Sequence, residues 1–179
     1  MRRTRKGGFA TVLGFVVVGA VAGVLWAVLS DPVQYTVVRV GDQSGLSADE
    51  AASTAQFGVE VTYAWIGAVT AGLWGAVATW LWGRAGGNAV IARTALGAVV
   101  GALVAWGAGV LAGPPEPTVG SRPAGATVSA QVSLDAYGVL FVWPVAALLG
   151  LLLVAWLTLP REPVGGAHRD DVPLPPVGV

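Results

Sequence analysis

The chain has 179 residues, of which 55% are hydrophobic and only 11% are charged, and its formal net charge is zero. Soluble domains carry about 25% charged residues, so this deficit is typical of a chain embedded in lipid, where a central charge costs about 2.5–3.5 kcal/mol. The absence of cysteine excludes disulfides, thiolate metal sites and cysteine nucleophiles. The zero net charge gives no indication of nucleic-acid binding.

The first apolar segment follows a basic start. Residues 1–8 carry four positive charges and no negative one, and residues 9–30 then contain no charge. This run is long enough for a helix to cross the ~30 Å hydrocarbon core. A cleaved signal peptide is the competing interpretation, but its apolar region would be shorter, so an uncleaved anchor is favoured. Asp31-Pro32 ends the helix, residues 34–41 predict a strand, and residues 41–45 predict a turn.

The second apolar segment, residues 57–82, contains four of the eight tryptophans. Before it, Ser47 and Glu50 have the spacing of a capping box, which predicts that a helix begins at Ala48, outside the membrane. That helix either runs straight into the apolar segment or bends at Gly58. Residues 83–94 are the predicted turn on the other side.

The second half of the chain repeats this order of elements. Residues 95–112 form the third apolar segment, which Gly113-Pro114-Pro115 ends, and residues 126–134 alternate as a strand does. Residues 137–159 predict a fourth helix, in which Pro144 is expected to produce a kink. Residues 160–179 lack periodicity and are expected to be disordered and cytoplasmic.

These segments predict an all-α membrane protein with four transmembrane helices and a small extracytoplasmic β cap. Two parallel helix–loop–helix repeats are indicated, residues 9–82 with outer loop 31–56, and residues 95–159 with outer loop 113–136. VVVGAVAGVLW (16–26) corresponds to AVVGALVAW (98–106), and FGVEVTYAW (57–65) to YGVLFVW (137–143). The alternative is that any two Ala/Val/Gly-rich helices look alike. A true duplication predicts a pseudo-two-fold bundle whose outer strands pair with each other.

The distribution of basic residues predicts the orientation. Both termini and the 83–94 turn share one side, which carries eight of the ten bases: Arg2, Arg3, Arg5, Lys6, Arg84, Arg93, Arg161 and Arg169. The positive-inside rule then places both termini in the cytoplasm and the two longer loops outside. The expected location is the cell membrane.

Small and aromatic residues within the helices predict packing. Gly19 and Gly23, and likewise Gly97 and Gly101, have the spacing that lets helix backbones approach closely. Packing inside the bundle is the favoured interpretation, and a homo-oligomer contact is the alternative.

Most of the tryptophans are expected to form interfacial belts, with Trp80 and Trp82 at the inner boundary and Trp65 and Trp143 near the outer one. Trp74, near mid-membrane, is expected to pack rather than bind a ligand.

Glu60 is the most suggestive single residue for function, since an ionisable group within a span is a functional hypothesis by default. It lies within about a turn of the predicted outer boundary, so a solvated or salt-bridged boundary acid is the competing interpretation. Arg39 is its expected partner. The candidate outer-face site comprises Glu60, Tyr63, Trp65, Arg39 and Asp135. No catalytic, cofactor or metal site is predicted, since the one histidine lies in the tail and no Gly-rich nucleotide loop is present.

The combination of a basic start, a hydrophobic anchor, the segment DPVQYTVV, a Trp-rich second span and a Pro-rich acidic tail resembles a family of actinobacterial membrane proteins. That family is known as a conserved domain of unknown function. The resemblance covers nearly the whole chain and implies an inner-membrane protein of a high-GC Gram-positive bacterium. It implies no activity and no functional residues.

The favoured function is therefore non-enzymatic: an accessory, scaffold or assembly component of a cell-envelope complex. The expected partners are the lipid bilayer and a membrane or envelope protein, with no nucleic acid. The alternative is a small transporter or channel subunit that acts as an oligomer, although the four spans contain few polar residues to line a pathway. A membrane-embedded enzyme is the third possibility.

Overall fold

A computed structural model describes residues 2–41, 43–48, 50–83, 88–119 and 122–158. Its elements in chain order are α1 (Arg2–Leu29), β1 (Gln34–Val40), β2 (Gln43–Ser47), α2 (Glu50–Trp82), α3 (Asn88–Ala112), β3 (Thr127–Ser129), a 3₁₀ segment (Tyr137–Phe141) and α4 (Val142–Thr158). Four helices are long and apolar enough to cross a membrane, the fourth together with its 3₁₀ segment. The predicted disordered tail, residues 160–179, lies outside the described residues.

Small residues bring the helices together in two parallel pairs, α1 with α3 and α2 with α4. A Cβ added at Gly19 would lie only 2.4 Å from the carbonyl oxygen of Gly101, and one at Gly23 would lie 2.2 Å from that of Ala105. In the other pair, Gly75 lies against the backbone of Ala147. Such approaches are possible only where a side chain is missing, and they allow extensive van der Waals packing between backbones. The structure therefore places the four predicted packing glycines inside the bundle, where Gly97 and Gly101 lie against Phe15.

The corresponding helices of the two expected repeats thus lie side by side, but their aligned tryptophans differ in environment. Trp26 is fully buried whereas Trp106 is partly exposed. Trp143 is likewise fully buried, whereas Trp65 is 68% exposed. The backbone arrangement therefore has the pairing that a two-fold relation requires, while the side-chain packing is asymmetric.

The β elements form one antiparallel sheet with the strand order β2-β1-β3. The expected pairing of the two outer strands is confirmed, since Gln34 is opposite Ser129 and Thr36 is opposite Thr127. The turn predicted at residues 41–45 begins at Gly41 as expected but is shorter, because Val40 pairs with Gln43 in a tight hairpin and β2 begins there. Gly41 has a φ of +62°, the left-handed conformation that such tight hairpins need and that glycine adopts without steric cost.

The second predicted strand, residues 126–134, pairs over only three residues. Its alternation nevertheless predicts burial correctly, since the side chains of Val128, Ala130, Val132 and Leu134 are all buried. Val132 and Leu134 belong to the main core of the bundle, and Ala130 packs with Val33 and Ala52. The segment after β3 therefore joins the sheet to the helices.

The start of α2 differs from the capping-box prediction. The helix begins at Glu50, and Ser47 belongs to β2, where it pairs with Thr36. The helix continues through Gly58 without interruption. Its 33 residues span about 50 Å, more than the ~30 Å hydrocarbon core requires. Its first turns accordingly extend past the other helices and pack against the start of β1.

The remaining helix boundaries agree in part with the sequence. The third helix ends at Ala112, before Gly113-Pro114-Pro115 as predicted, but it begins at Asn88, within the expected turn. Pro144, which was expected to kink the interior of the fourth helix, lies instead near its start. Pro144 lies in the first turn of α4, where a backbone N–H has no acceptor within the α-helix, so its missing donor costs little. The helix geometry changes instead at Val142, where the 3₁₀ segment ends.

Aromatic side chains fill the centre of the bundle. Phe15, Trp26, Tyr63 and Trp143 are almost completely inaccessible, and the ring of Tyr63 lies 5.1 Å from that of Trp26 in an edge-to-face contact. The Tyr63 hydroxyl donates a hydrogen bond to the carbonyl of Ala102 (2.7 Å), and the indole N–H of Trp26 donates to that of Val59 (2.9 Å). These bonds join α2 to α3 and α1 to α2.

The predicted tryptophan belts require correction at Trp143, which is a core residue and not a boundary residue. Trp26 is buried with it, whereas Trp65, Trp80 and Trp156 are exposed. Trp74 packs, as expected: its indole lies over Gly14 and donates a hydrogen bond to the carbonyl of Thr11 (3.1 Å).

Candidate functional site

Polar side chains converge at the sheet end of the bundle, where three segments meet. These segments are the start of β1, the first turns of α2 and the residues that lead from β3 into the 3₁₀ segment. On α2, Ser53, Gln56 and Glu60 are spaced three and four residues apart, which places them on one face of the helix. This polar face continues the line of the buried Tyr63 and Gly67 beyond the apolar part of the helix.

Two of these side chains hold the segment after β3 in place. The Gln56 side-chain amide donates to the carbonyl of Ser133 (3.1 Å). One carboxylate oxygen of Glu60 accepts hydrogen bonds from the backbone amides of Asp135 (3.3 Å) and Ala136 (2.9 Å). We call this pair the Gln56–Glu60 clamp. It binds residues 133–136 to α2 through three hydrogen bonds, two of which are charge-assisted.

The position of the clamp also explains how the Glu60 charge is accommodated. Ala136 is the N-cap of the 3₁₀ segment Tyr137–Phe141 and has no side chain that accepts a hydrogen bond. The amides at a helix N-terminus carry partial positive charge, so an acidic side chain is stabilising there. Glu60 thus supplies from α2 the carboxylate that the cap residue lacks.

The expected ion pair between Glu60 and Arg39 is not formed. Arg39 is exposed and lies opposite Ser44, one residue before the end of β1 at the hairpin connection. The residues that pack against α2 are Tyr35, at the start of β1, and Val33, just before the strand. Arg39 lies further along the strand, and backbone amides take the place that the sequence assigned to its guanidinium.

The five predicted site residues are therefore only partly brought together. Glu60 and Asp135 are in direct contact through the Asp135 amide. Tyr63 lies one turn further along α2, buried between Trp26 and Trp143. Trp65 is exposed and contributes to the outer surface of the bundle, and Arg39 lies near the hairpin connection.

Beside the clamp, an open cleft of about 250 Å³ lies between β1 and α2. Its lining consists of Val33, Tyr35, Ala48, Ala52, Ser53, Gln56 and Asp135. The apolar lining includes Val33, just before β1, and Ala48 and Ala52, around the start of α2. The polar lining residues include Ser53, Gln56 and Asp135. Within the described part of the chain, nothing forms an ion pair or a hydrogen bond with the Asp135 carboxylate.

Sequence reasoning found Asp135 but missed Tyr35, Ser53 and Gln56. The three- and four-residue spacing of the polar residues on α2 was the available signal, because it marks a polar face on a helix that is otherwise apolar. In the described ranges, no group of three or more His, Cys, Asp or Glu side chains is placed to hold a metal ion. The chemistry that the arrangement offers is recognition by oxygen acceptors and an aromatic ring.

Comparison of the chain with protein-family models, with curated proteins and with solved structures finds no match in any of the three. The resemblance to an actinobacterial family stays a prediction.

Proposed function

We propose that the chain is a four-span protein of the cell membrane that acts without catalysis, as a scaffold or assembly component for a partner in the cell envelope. The observation that carries this proposal is the union of two surfaces in one fold: an apolar helix bundle and a polar, sheet-bearing end fixed to it by the Gln56–Glu60 clamp. The bundle would anchor the protein in lipid, and the sheet end would present a defined surface to the partner.

Exposed aromatic residues support the proposed position of the bilayer. Trp65 and Trp80 are both exposed on α2 and are fifteen residues apart. Phe141 and Trp156 are both exposed at the same separation along the 3₁₀ segment and α4. Fifteen residues span about 22 Å of α-helix. This separation is about 8 Å less than the ~30 Å hydrocarbon core, and aromatic side chains that extend toward the headgroups can bridge the difference. The exposed side chains between the two aromatic rows are largely aliphatic.

The orientation that we propose follows from charge. The sheet end lies at the C-termini of α1 and α3 and carries few bases, whereas the opposite end includes Arg93 and the basic start of the chain. Under the positive-inside rule, the sheet end faces outward and both termini face the cytoplasm. A duplication of a two-helix unit accounts for the parallel pairing of α1 with α3 and of α2 with α4.

A protein partner is favoured over a conducted solute by the packing of the bundle. Phe15, Trp26, Tyr63 and Trp143 close its centre, so a single copy has aromatic side chains where a water-filled pathway would run. The sheet end, by contrast, presents β2, whose pairing among the described residues is to β1 alone. Its free edge carries the exposed polar side chains of Gln43 and Ser44.

Site-specific photo-crosslinking in intact cells tests this proposal. A photoreactive residue placed at Ser44, or at Ala124 in the other outer loop, should give an adduct of one discrete mass that mass spectrometry identifies as the same protein. The matched control is Asn88, which is likewise exposed but lies at the opposite end of the bundle, and it should not give that adduct.

Two outcomes would contradict the proposal. One is crosslinking that is equally strong from both ends, or that yields only a scatter of masses. The other is ion or solute flux through liposomes that contain the purified chain alone, which would favour the transporter or channel subunit.

A further inference from the structure

We propose that the cleft between β1 and α2 binds a primary alkylammonium group. The inference is carried by four residues that line one small open space: an acid without an ion-pair partner in the described ranges, two residues with neutral oxygen acceptors, and a tyrosine. This inference depends on the cleft and its lining, and it holds whether or not a protein partner binds the sheet end.

The charge of the ligand follows from Asp135. Its backbone amide is fixed by Glu60, so the residue is held in place at the cleft, and its exposed carboxylate has no ion-pair partner among the described residues. Glu60, the neighbouring acid, does not line the cleft, and one of its carboxylate oxygens already accepts from two backbone amides. The charge that lines the cleft without a partner in the described part of the chain is therefore negative and belongs to Asp135, and a cationic ligand is the complementary one.

The number of acceptors favours an ammonium over other cations. A primary ammonium has three N–H donors and no acceptor. The Gln56 side chain uses its N–H to donate to Ser133, which leaves its carbonyl oxygen as an acceptor. With the Ser53 hydroxyl and the Asp135 carboxylate, the lining supplies three oxygen-bearing side chains. The ring of Tyr35 adds a surface that attracts cations electrostatically.

The apolar part of the lining and the volume set the size of the ligand. Val33, Ala48 and Ala52 offer contact to a short methylene chain. A volume of about 250 Å³ is below the ~300–1,000 Å³ typical of pockets for drug-sized ligands. The cleft therefore suits a short amine or a single headgroup.

Two sources present this chemistry, a free small amine and the ethanolamine headgroup of a phospholipid. Gln56 lies nine residues from the exposed Trp65, about 14 Å further along the helix axis. The cleft thus opens beyond the aromatic row that marks the proposed interface, where both sources have access. The two sources are separated by experiment.

The test is ligand-observed NMR titration of the detergent-purified chain with n-butylamine, which is cationic at neutral pH, and with n-butanol, its neutral counterpart of similar size. Saturable binding of butylammonium without binding of butanol is expected. Asp135→Asn should weaken butylammonium binding about tenfold, because a hydrogen bond to a charged group is replaced by one to a neutral group. Asp31→Asn is the matched control, since Asp31 is another exposed outer-loop acid that does not line the cleft, and it should leave binding unchanged.

Repeating the titration in nanodiscs separates the sources. If the headgroup is the ligand, phosphatidylethanolamine discs should suppress butylammonium binding and phosphatidylcholine discs should not; if a free amine is the ligand, both discs should behave alike. The proposal is overturned if butylammonium shows no saturable binding, if butanol binds equally well, or if both Asp variants bind like the unmodified chain. The thermal unfolding temperature of Asp135→Asn should equal that of the unmodified chain, which would show that the variant loses binding while it remains folded.

Discussion

Adding one methyl group at Gly19 should push α1 away from α3. The Cβ of an alanine there would lie 2.4 Å from the Gly101 carbonyl oxygen, whereas ordinary contacts between such atoms begin near 3.4 Å. The helices must therefore separate locally by about 1 Å. The backbone fixes the position of the Cβ, and the oxygen is itself a backbone atom, so no side-chain rotation relieves the clash. Overpacking of this kind typically costs about 1–3 kcal/mol. The higher helix propensity of alanine offsets up to about 1 kcal/mol of this loss of stability.

The expected net loss for Gly19→Ala is about 1–2 kcal/mol, a factor of about 5–30 in the folding equilibrium. Titration of the detergent-solubilised protein with SDS, followed by far-UV circular dichroism, measures it. Gly107→Ala is the matched control, because Gly107 lies within α3 but has open space at its Cβ position. That variant should be unchanged or more stable by about 0.5–1 kcal/mol. If Gly19→Ala is as stable as Gly107→Ala, the close α1–α3 approach is refuted.

Three further substitutions test individual contacts. Tyr63→Phe should lower stability in the same titration by about 0.5–1.5 kcal/mol, because it removes an interhelical hydrogen bond; an unchanged midpoint would contradict that bond. Glu60→Ala should speed hydrogen exchange at the Asp135 and Ala136 amides by about tenfold or more, because both amides lose their acceptor. The control, Glu50→Ala, should leave these exchange rates unchanged, and equal rates in both variants would rule out the clamp. Pro144→Ala should change stability by less than about 0.5 kcal/mol, since its position lacks an intrahelical acceptor; a change above 2 kcal/mol would show that the proline shapes the helix.

The elements that the sequence predicted correctly are those with strong local signals. The apolar length of the helices, the Gly-Pro-Pro stop after Ala112 and the alternation after Ala126 each depend on neighbouring residues alone. The strand β2 carried no such signal, since QSGLS contains no β-branched residue. It forms because the hairpin at Gly41 brings it alongside β1, where its backbone can pair. The tertiary context therefore outweighs the low intrinsic strand propensity of these residues.

Burial in the bundle was harder to predict because its helices are apolar on every side. A soluble helix shows its buried face by contrast with polar residues, but a lipid-facing surface is as apolar as the core. Trp143 and Trp65 are aligned in the expected repeat, yet one fills the core and the other lies outside. The partners of Glu60 are backbone amides, and the sequence cannot single these out because almost every residue has one. Arg39 was predicted instead because its side chain carries the opposite charge.

The account depends most directly on which side of the membrane the sheet end occupies. The chain contains no cysteine, so single cysteines at Gln43, Ala124 and Asn88 can be labelled in intact cells with a membrane-impermeant maleimide. All three positions are exposed, the first two at the sheet end and the third at the start of α3. The account predicts labelling of Gln43→Cys and Ala124→Cys, and labelling of Asn88→Cys only after the cells are permeabilised. Labelling of Asn88→Cys in intact cells, with the other two protected, would contradict it.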